Sequence, residues 1–140
     1  MQTTIFIDHE TKALALLTDI HASGQLPPGS LLLLVADECA RLMLPIGIDE
    51  VPDDPPQDER IDALMSLLGL VVGLERCRGV LLAIGRHGDP RPRGGDFGWH
   101  DAFNQGSLGT GLACHGTYVV TPAGARRVRP LLAPPEIAAA

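Results

Sequence analysis

Two short, almost wholly aliphatic runs are the strongest hydrophobic signal in the chain. One covers Ser30 to Ala36 and the other covers Val80 to Ile84, and a glycine directly precedes each of them. Short apolar runs bounded by turn-forming residues are typical of strands that are buried on both faces of a sheet. The pattern therefore predicts two central strands.

The clearest amphipathic helix is predicted from Asp58 to about Arg76. Its apolar residues recur at the spacing of a helix face: Ile61, Leu64, Met65, Leu68 and Val72. Such a stripe indicates a helix that buries one side against a core. Gly69 and Gly73 each weaken it by roughly 1 kcal/mol relative to alanine, which implies close packing at these positions or an earlier end.

Two further helices are predicted from capping residues and shorter stripes. Asp8 can cap a helix that runs to about His21 and ends at Ser23-Gly24, with Leu16, Leu17 and Ile20 as its apolar side. The third helix follows Gly94-Gly95-Asp96, which predicts Asp96 as its N-cap. Its buried face would consist of Trp99, Ala102, Phe103 and Gly106.

The remaining strands are shorter and lie next to turns. A strand is predicted from Cys39 to Ile48, which would form a hairpin with the first aliphatic strand. Pro45 indicates that this second strand lies at a sheet edge or contains a bulge. Thr117 to Thr121 and Ala125 to Arg129 flank a turn at Pro122-Ala123-Gly124. Thr3 to Ile7 is either a short strand or a flexible lead-in.

This order of elements predicts one α/β (α+β) domain, with a mixed central sheet of about five to six strands flanked by two to three helices. Within it we distinguish an N-terminal helical lead-in over residues 1–28, the main domain over residues 29–129 and a flexible tail over residues 130–140. The two adjacent prolines and the closing alanines are the reason for expecting the tail to be frayed.

Composition and charge narrow the range of functions. The chain has 140 residues, of which 45% are hydrophobic and 20% charged, and this is typical of a single globular domain. Its formal net charge of −6 argues against a general nucleic-acid binder, because that affinity comes from lysines and arginines on phosphates. Six of the ten arginines lie in two late groups, within residues 86–93 and 126–129.

The cysteines and the apolar runs indicate where the protein resides. Cys39, Cys77 and Cys114 are far apart and contain no Cys-x-x-Cys pair, which favours reduced, buried thiols in a cytoplasmic protein. The first residues lack a secretory pattern, and no apolar run approaches the length of about 18 residues that a membrane span requires. We therefore expect neither export nor membrane association.

The candidate site is the polar loop that separates the second aliphatic strand from the third helix. The whole stretch runs from Ile84 to His100 and reads Ile-Gly-Arg-His-Gly-Asp-Pro-Arg-Pro-Arg-Gly-Gly-Asp-Phe-Gly-Trp-His. A loop between a rigid strand and a helix start can hold functional side chains accurately, and the free N–H groups of a first helical turn favour negative charge. The candidate residues are His87, Asp89, Arg91, Arg93, Asp96 and His100.

The chain resembles the JAB/MPN (JAMM) domain, and most closely its RadC-like branch. The resemblance lies in the order of the elements and in the motif Gly88-Asp89-Pro90-Arg91-Pro92. The active-site loop of that branch reads His-x-His, a spacer that typically includes Gly-Asp-Pro-Thr-Pro, and then Ser-x-x-Asp. The resemblance covers roughly Gly29 to Arg129. It implies a metalloprotease-like domain with the layering of cytidine deaminases.

The resemblance also implies that most of the family's zinc site is missing. Asp96 falls on the metal-binding aspartate, but Arg93 stands in place of the serine, and Ala83 and Gly85 stand in place of the two histidines. The upstream glutamate falls near Gly29, where there is no acid. Because a catalytic zinc needs about three protein ligands, the resemblance implies a pseudoenzyme that acts as a protein-interaction or scaffold module.

Positive charge could replace the metal in such a module. Arg91 and Arg93 would put a cation where the zinc once stood, and an arginine can hold a loop or an acidic partner group without hydrolysis. The partner would be another protein, and the apolar hairpin could also form a homodimer through its edge strand.

The alternative is a zinc-dependent hydrolase with a rearranged site that cleaves a peptide, isopeptide or phosphoester bond. Asp96 and His100 are four residues apart and would share one face of a helix, and His87 or His115 could supply a third ligand. Against this reading, Asp96 can serve as a plain helix cap, His100 as an exposed helix residue and His115 as the end of a strand.

Overall fold

A five-stranded mixed sheet forms the centre of residues 4–129, the part of the chain that the computed structural model describes. Its strands are β1 (Ser30–Ala36), β2 (Leu42–Ile48), β3 (Gly79–Gly85), β4 (Ala113–Thr121) and β5 (Gly124–Val128). The helices are α1 (Glu10–Ala22), α2 (Gln57–Val72) and α3 (Gly94–Ser107). The predicted α/β domain with a mixed sheet is therefore confirmed.

The sheet order is β2-β1-β3-β4-β5. β1 pairs antiparallel with both β2 and β3, β4 is parallel to β3, and β5 is antiparallel to β4. The parallel pair is connected by α3, as a crossover requires. The hairpin of β1 and β2 is as predicted, and Pro45 lies in an edge strand, where the loss of one N–H donor is tolerated.

The helices cover both faces of the sheet, so successive residues of β1 and β3 are buried on opposite sides. Leu31, Leu33, Val80 and Leu82 pack beneath α2 and α3. The residues that alternate with them pack beneath α1: Leu32, Leu34, Leu81 and Ala83. α1 belongs to this core through Ala13 and Leu17.

α2 differs from its prediction in both its end and its buried face. It stops at Val72 with Gly73 as C-cap, several residues before Arg76. Its buried residues are Arg60, Leu64, Leu67, Leu68 and Val71. Met65 and Val72 are 53% and 47% exposed because the packed stripe runs through their neighbours. A Cβ at Gly69 would meet nothing within 4 Å, so that glycine does not mark close packing.

Other boundaries shift for local reasons. β2 begins at Leu42 rather than at Cys39, because the Asp37 carboxylate accepts the N–H groups of Cys39 and Arg41 and closes a turn there. His9 rather than Asp8 is the N-cap residue of α1. β4 begins at Ala113, four residues before the predicted Thr117.

Burial of the cysteines is confirmed for one of the three, since Cys77 is buried while Cys39 and Cys114 are exposed. Within residues 4–129 no helix combines the length and the apolar character needed to cross a bilayer. The predicted tail at residues 130–140 and the start of the predicted lead-in strand lie outside the described residues.

Candidate functional site

A cleft of about 470 Å³ lies at the end of the sheet where β1 begins and β3 ends. The loop after β3 and the first turn of α3 form one wall, and the segment after β2 together with α2 forms the other. Its lining includes three arginines and three aspartates: Arg60, Arg86, Arg93, Asp53, Asp54 and Asp96. The cleft is therefore the place where the predicted loop meets the rest of the domain.

The centre of the loop is an ion pair between Arg86 and Asp96. Nη2 of Arg86 lies 2.8 Å from Oδ2 of Asp96, and Nε lies 3.1 and 3.2 Å from the two carboxylate oxygens. The side chains are only 15% and 5% exposed. The pair has the bidentate geometry that makes arginine–carboxylate contacts strong.

Asp96 is the third residue of α3, and the prediction that it is the N-cap is wrong. Arg93 is the N-cap residue, and its backbone N–H donates to Oδ2 of Asp96 at 2.8 Å. An acidic side chain at the third helical position can reach back in this way to the N-cap amide. Asp96 thus fixes the start of the helix while it also holds Arg86.

Arg86 uses all of its donors within the loop. Besides the contacts with Asp96, Nη1 donates to the carbonyl oxygens of His87 and Asp89 at 2.9 and 2.7 Å. Nη2 donates to the carbonyl oxygen of Arg91 at 2.9 Å. The five N–H groups of a guanidinium are thereby all engaged. Arg86 consequently organises the loop as a bound cation would.

The other predicted loop side chains lie further out. Asp89 and Arg91 are 62% and 75% exposed and form an ion pair with 3.5 Å between charged atoms. The N–H of Arg91 donates to the Asp89 carboxylate, which lowers the pKa of that group. Arg93 is exposed and lines the cleft, with Nη2 3.3 Å from the carbonyl oxygen of His87.

His100 is bonded on both ring nitrogens. The Asn104 amide donates to Nε2 at 3.2 Å, so Nδ1 carries the proton and donates to Oγ1 of Thr117 at 2.8 Å. Thr117 is completely buried. Partial burial lowers the pKa of His100 and favours the neutral ring.

We expect the protein to lose stability as the pH falls below about 6.5, the ordinary histidine pKa. The unfolded chain takes up protons there, whereas the folded chain holds His100 neutral, and the loss stops once the pH passes the lower folded-state pKa. His115, whose pKa is also lowered by burial, contributes in the same direction. Urea denaturation between about pH 7.5 and 5 should show a smaller decrease in His100→Gln than in the wild type. Equal decreases would contradict a role for His100.

His115 lies on the opposite face of the sheet. A Cβ at Gly79 would approach its Nε2 to 2.5 Å, and Gly79 has the same strand parity as Leu81 and Ala83, which pack beneath α1. His100 extends from α3 on the other face. The sheet therefore separates the two histidines.

The residues of this region do not fit a zinc ion. Among the described residues no three or more His, Cys, Asp or Glu side chains are grouped so that they could hold a metal. Ala83 packs beneath α1, and a Cβ at Gly85 would lie 2.6 Å from the carbonyl oxygen of Pro27. Both positions thus point away from Asp96, whose carboxylate is already neutralised by Arg86.

Arg60 is a site residue that sequence analysis missed. It is 6% exposed, and its Nη2 and Nη1 donate to Asp54 and Gln57 at 3.0 Å each. Its guanidinium lies 5.6 Å from the centre of the Trp99 ring. The buried Nε has no hydrogen-bond partner among residues 4–129. A Cβ at Gly98 would come within 2.7 Å of Nη1, so a larger residue there would displace the end of the Arg60 side chain.

The sequence contains a signal for each of the two missed arginines. Arg60 precedes Leu64 by four residues, which puts it on the buried face of α2. Arg86 continues the parity of Leu82 and Ile84, whose side chains face α2 and α3. Parity therefore points Arg86 towards the start of α3.

Comparison with known proteins adds no assignment. No protein-family model matches the sequence, and no curated protein and no solved structure is significantly similar to it. The residues of the cleft therefore indicate its chemistry. They supply cationic hydrogen-bond donors and apolar walls, which can bind and orient an anionic group.

Proposed function

We propose that this chain is a noncatalytic domain of the JAB/MPN type, close to the RadC-like branch. We propose further that it binds a protein partner in the cleft. The observation that carries the proposal is the buried pair of Arg86 and Asp96. Asp96 is the one residue that the resemblance assigns to the metal, and its carboxylate is fully occupied by Arg86 and by the N–H of Arg93.

The pair supports a binding role because it does the structural work of a metal without its reactivity. A zinc ion would connect the strand end to the helix start and activate a water molecule. Arg86 makes the same connection through five donors, and a guanidinium stays protonated and cannot activate water as a Lewis acid.

The composition of the cleft supports a protein as the partner. Its walls combine aliphatic residues with Trp99 and arginines, and aromatic residues and arginine are enriched where proteins bind one another. The exposed Asp53 at its rim would repel the phosphates of a nucleic acid, and Asp54 already neutralises Arg60.

Site-specific photocrosslinking in cells would test the proposal. A benzophenone amino acid at Asp53, on the rim of the cleft, should crosslink a discrete partner protein. The same amino acid at Glu38 is the control, because Glu38 is also exposed but follows the opposite end of β1. Zinc titration calorimetry on the purified chain should show no binding heat.

Either of two results would contradict the proposal. The absence of any crosslink specific to Asp53 would contradict the binding of a protein partner in the cleft. Zinc-dependent hydrolysis by the purified chain that is abolished in an Asp96→Ala variant shown to remain folded would instead establish a zinc hydrolase.

A further inference from the structure

We infer from the geometry that the cleft binds a single carboxylate of a peptide between Arg93, the Arg60 guanidinium and the first N–H groups of α3. This inference rests on the proposed function and specifies what the partner must present. It is carried by three independent features of the cleft.

The first feature is that Arg60 is a buried cation with few partners. Its side chain is 7% exposed, whereas the side chain of Asp54, its acidic partner, is 91% exposed. Its Nε has no partner among the described residues, and Nη1 and Nη2 each donate to one protein acceptor although each carries two hydrogens. Its ion pair is made with a carboxylate that lies almost wholly in solvent, so the buried guanidinium is only partly compensated, and a bound anion would supply acceptors for the remaining hydrogens of Nη1 and Nη2.

The second feature is the open first turn of α3. The first hydrogen bond of the helix runs from the N–H of Phe97 to the carbonyl oxygen of Arg93 at 3.0 Å, so the N–H groups of Gly94 and Gly95 have no partner within the helix. A Cβ at Gly95 would lie 3.6 Å from Nη2 of Arg60. The Arg60 guanidinium therefore lies beside this helix start, and both favour negative charge there.

The third feature is the position of Arg93. It is the N-cap residue of α3, it lines the cleft, and no acidic group of the described residues lies within 4.0 Å of its guanidinium. Arg86 differs, because all of its donors are engaged with Asp96 and the loop. Arg93 can therefore close over a ligand while Arg86 holds the loop.

Charge and shape favour one carboxylate over a phosphate or a polyanion. The pair of Arg86 and Asp96 is neutral, Asp54 is already paired with Arg60, and Asp53 would repel a second negative charge at the rim. The remaining walls are apolar and suit an aliphatic or aromatic side chain next to the carboxylate: Leu31, Val51, Ile84 and Trp99. A peptide can supply such a carboxylate from its C-terminus or from an acidic side chain.

Nuclear magnetic resonance titration of the full, ¹⁵N-labelled chain would test the inference. N-acetyl-leucine presents a C-terminal carboxylate, N-acetyl-glutamic acid α-amide presents a side-chain carboxylate, and N-acetyl-leucinamide is the neutral control. We expect saturable shifts of the Gly94 and Gly95 amide signals with at least one acid and none with the neutral amide. The acid that binds more tightly identifies the source of the carboxylate.

Two variants localise the binding. Arg93→Gln should lower the affinity of the protein for the acid by about tenfold, which corresponds to the loss of one charge-assisted contact. Arg91→Gln is the matched control, since Arg91 is an exposed arginine of the same loop that does not line the cleft. It should leave the affinity unchanged within about twofold.

Several outcomes would overturn the inference. These are equal shifts with the neutral amide, tighter binding of inorganic phosphate than of either acid, equal losses in the two variants, or no shift at all. A crosslink specific to Asp53 without any response to the acids would support the proposed function and contradict the inferred carboxylate recognition. If neither a crosslink nor a response to the acids is seen, both the proposed function and the carboxylate recognition are contradicted.

Discussion

Replacing Asp96 with alanine should lower the free energy of unfolding by about 3–5 kcal/mol, because the change leaves a buried charge without its partner. Arg86 is only 15% exposed and would lose the carboxylate that accepts from its Nε and Nη2. The N–H of Arg93 would lose its acceptor at the same time. Urea denaturation followed by the fluorescence of the single tryptophan, Trp99, measures the loss.

Asp89→Ala is the matched control for this prediction. Asp89 is an aspartate of the same loop that pairs with an arginine, but it is 62% exposed, so its replacement should cost much less. The double variant Arg86→Met with Asp96→Leu should recover part of the lost stability, since no charge is then left buried. Equal losses in Asp96→Ala and Asp89→Ala would show that the pair does not hold the loop.

The central strands could be predicted because both of their faces are buried. β1 and β3 lie between helices on either side, so their sequences are continuously apolar and their positions are unambiguous. The boundaries were less predictable where side chains bond to the backbone. The carboxylate of Asp37 delays β2 until Leu42, and no hydrophobic pattern reports such a turn.

Half of the central pair could be predicted from the sequence. Asp96 attracts attention as an acid at a helix start, but its partner Arg86 lies ten residues away and belongs to another element. The resemblance implies that Ala83 and Gly85 occupy the positions of the missing ligands. The alternation of side chains along β3 instead places Arg86 on the side of the sheet where Asp96 lies. An ion pair between a strand end and a helix start can be predicted only when the side-chain alternation of the strand and the position of the helix start are considered together.

The histidines could not be placed from spacing alone. His100 and Asp96 are four residues apart on α3, yet His100 bonds to Thr117 on β4 while Asp96 turns to the loop. The hydrogen-bond partners, rather than the helical spacing, decide where these side chains lie. His115 belongs to the other face of the sheet, a fact that depends on the register of β4.

Replacing Gly85 with alanine should lower the free energy of unfolding by about 1–3 kcal/mol, because the added methyl group has no space. A Cβ there would lie 2.6 Å from the carbonyl oxygen of Pro27 and 3.0 Å from Cγ of Leu26. The first of these atoms belongs to the backbone, and the N–H of Gly29 keeps that segment in place by donating to the Gly85 carbonyl oxygen at 2.9 Å. The strand end and the segment before β1 would have to move apart.

Gly47→Ala is the control, because Gly47 is also a strand glycine but a Cβ there would meet nothing within 4 Å. It should leave the stability unchanged or raise it slightly, since alanine restricts the unfolded chain. The contrast bears directly on the zinc site. If Gly85→Ala is destabilising, a histidine at position 85 fits still less well, and the double variant Ala83→His with Gly85→His should not bind zinc. A stable Gly85→Ala variant together with zinc binding by the double variant would show that the strand end can open.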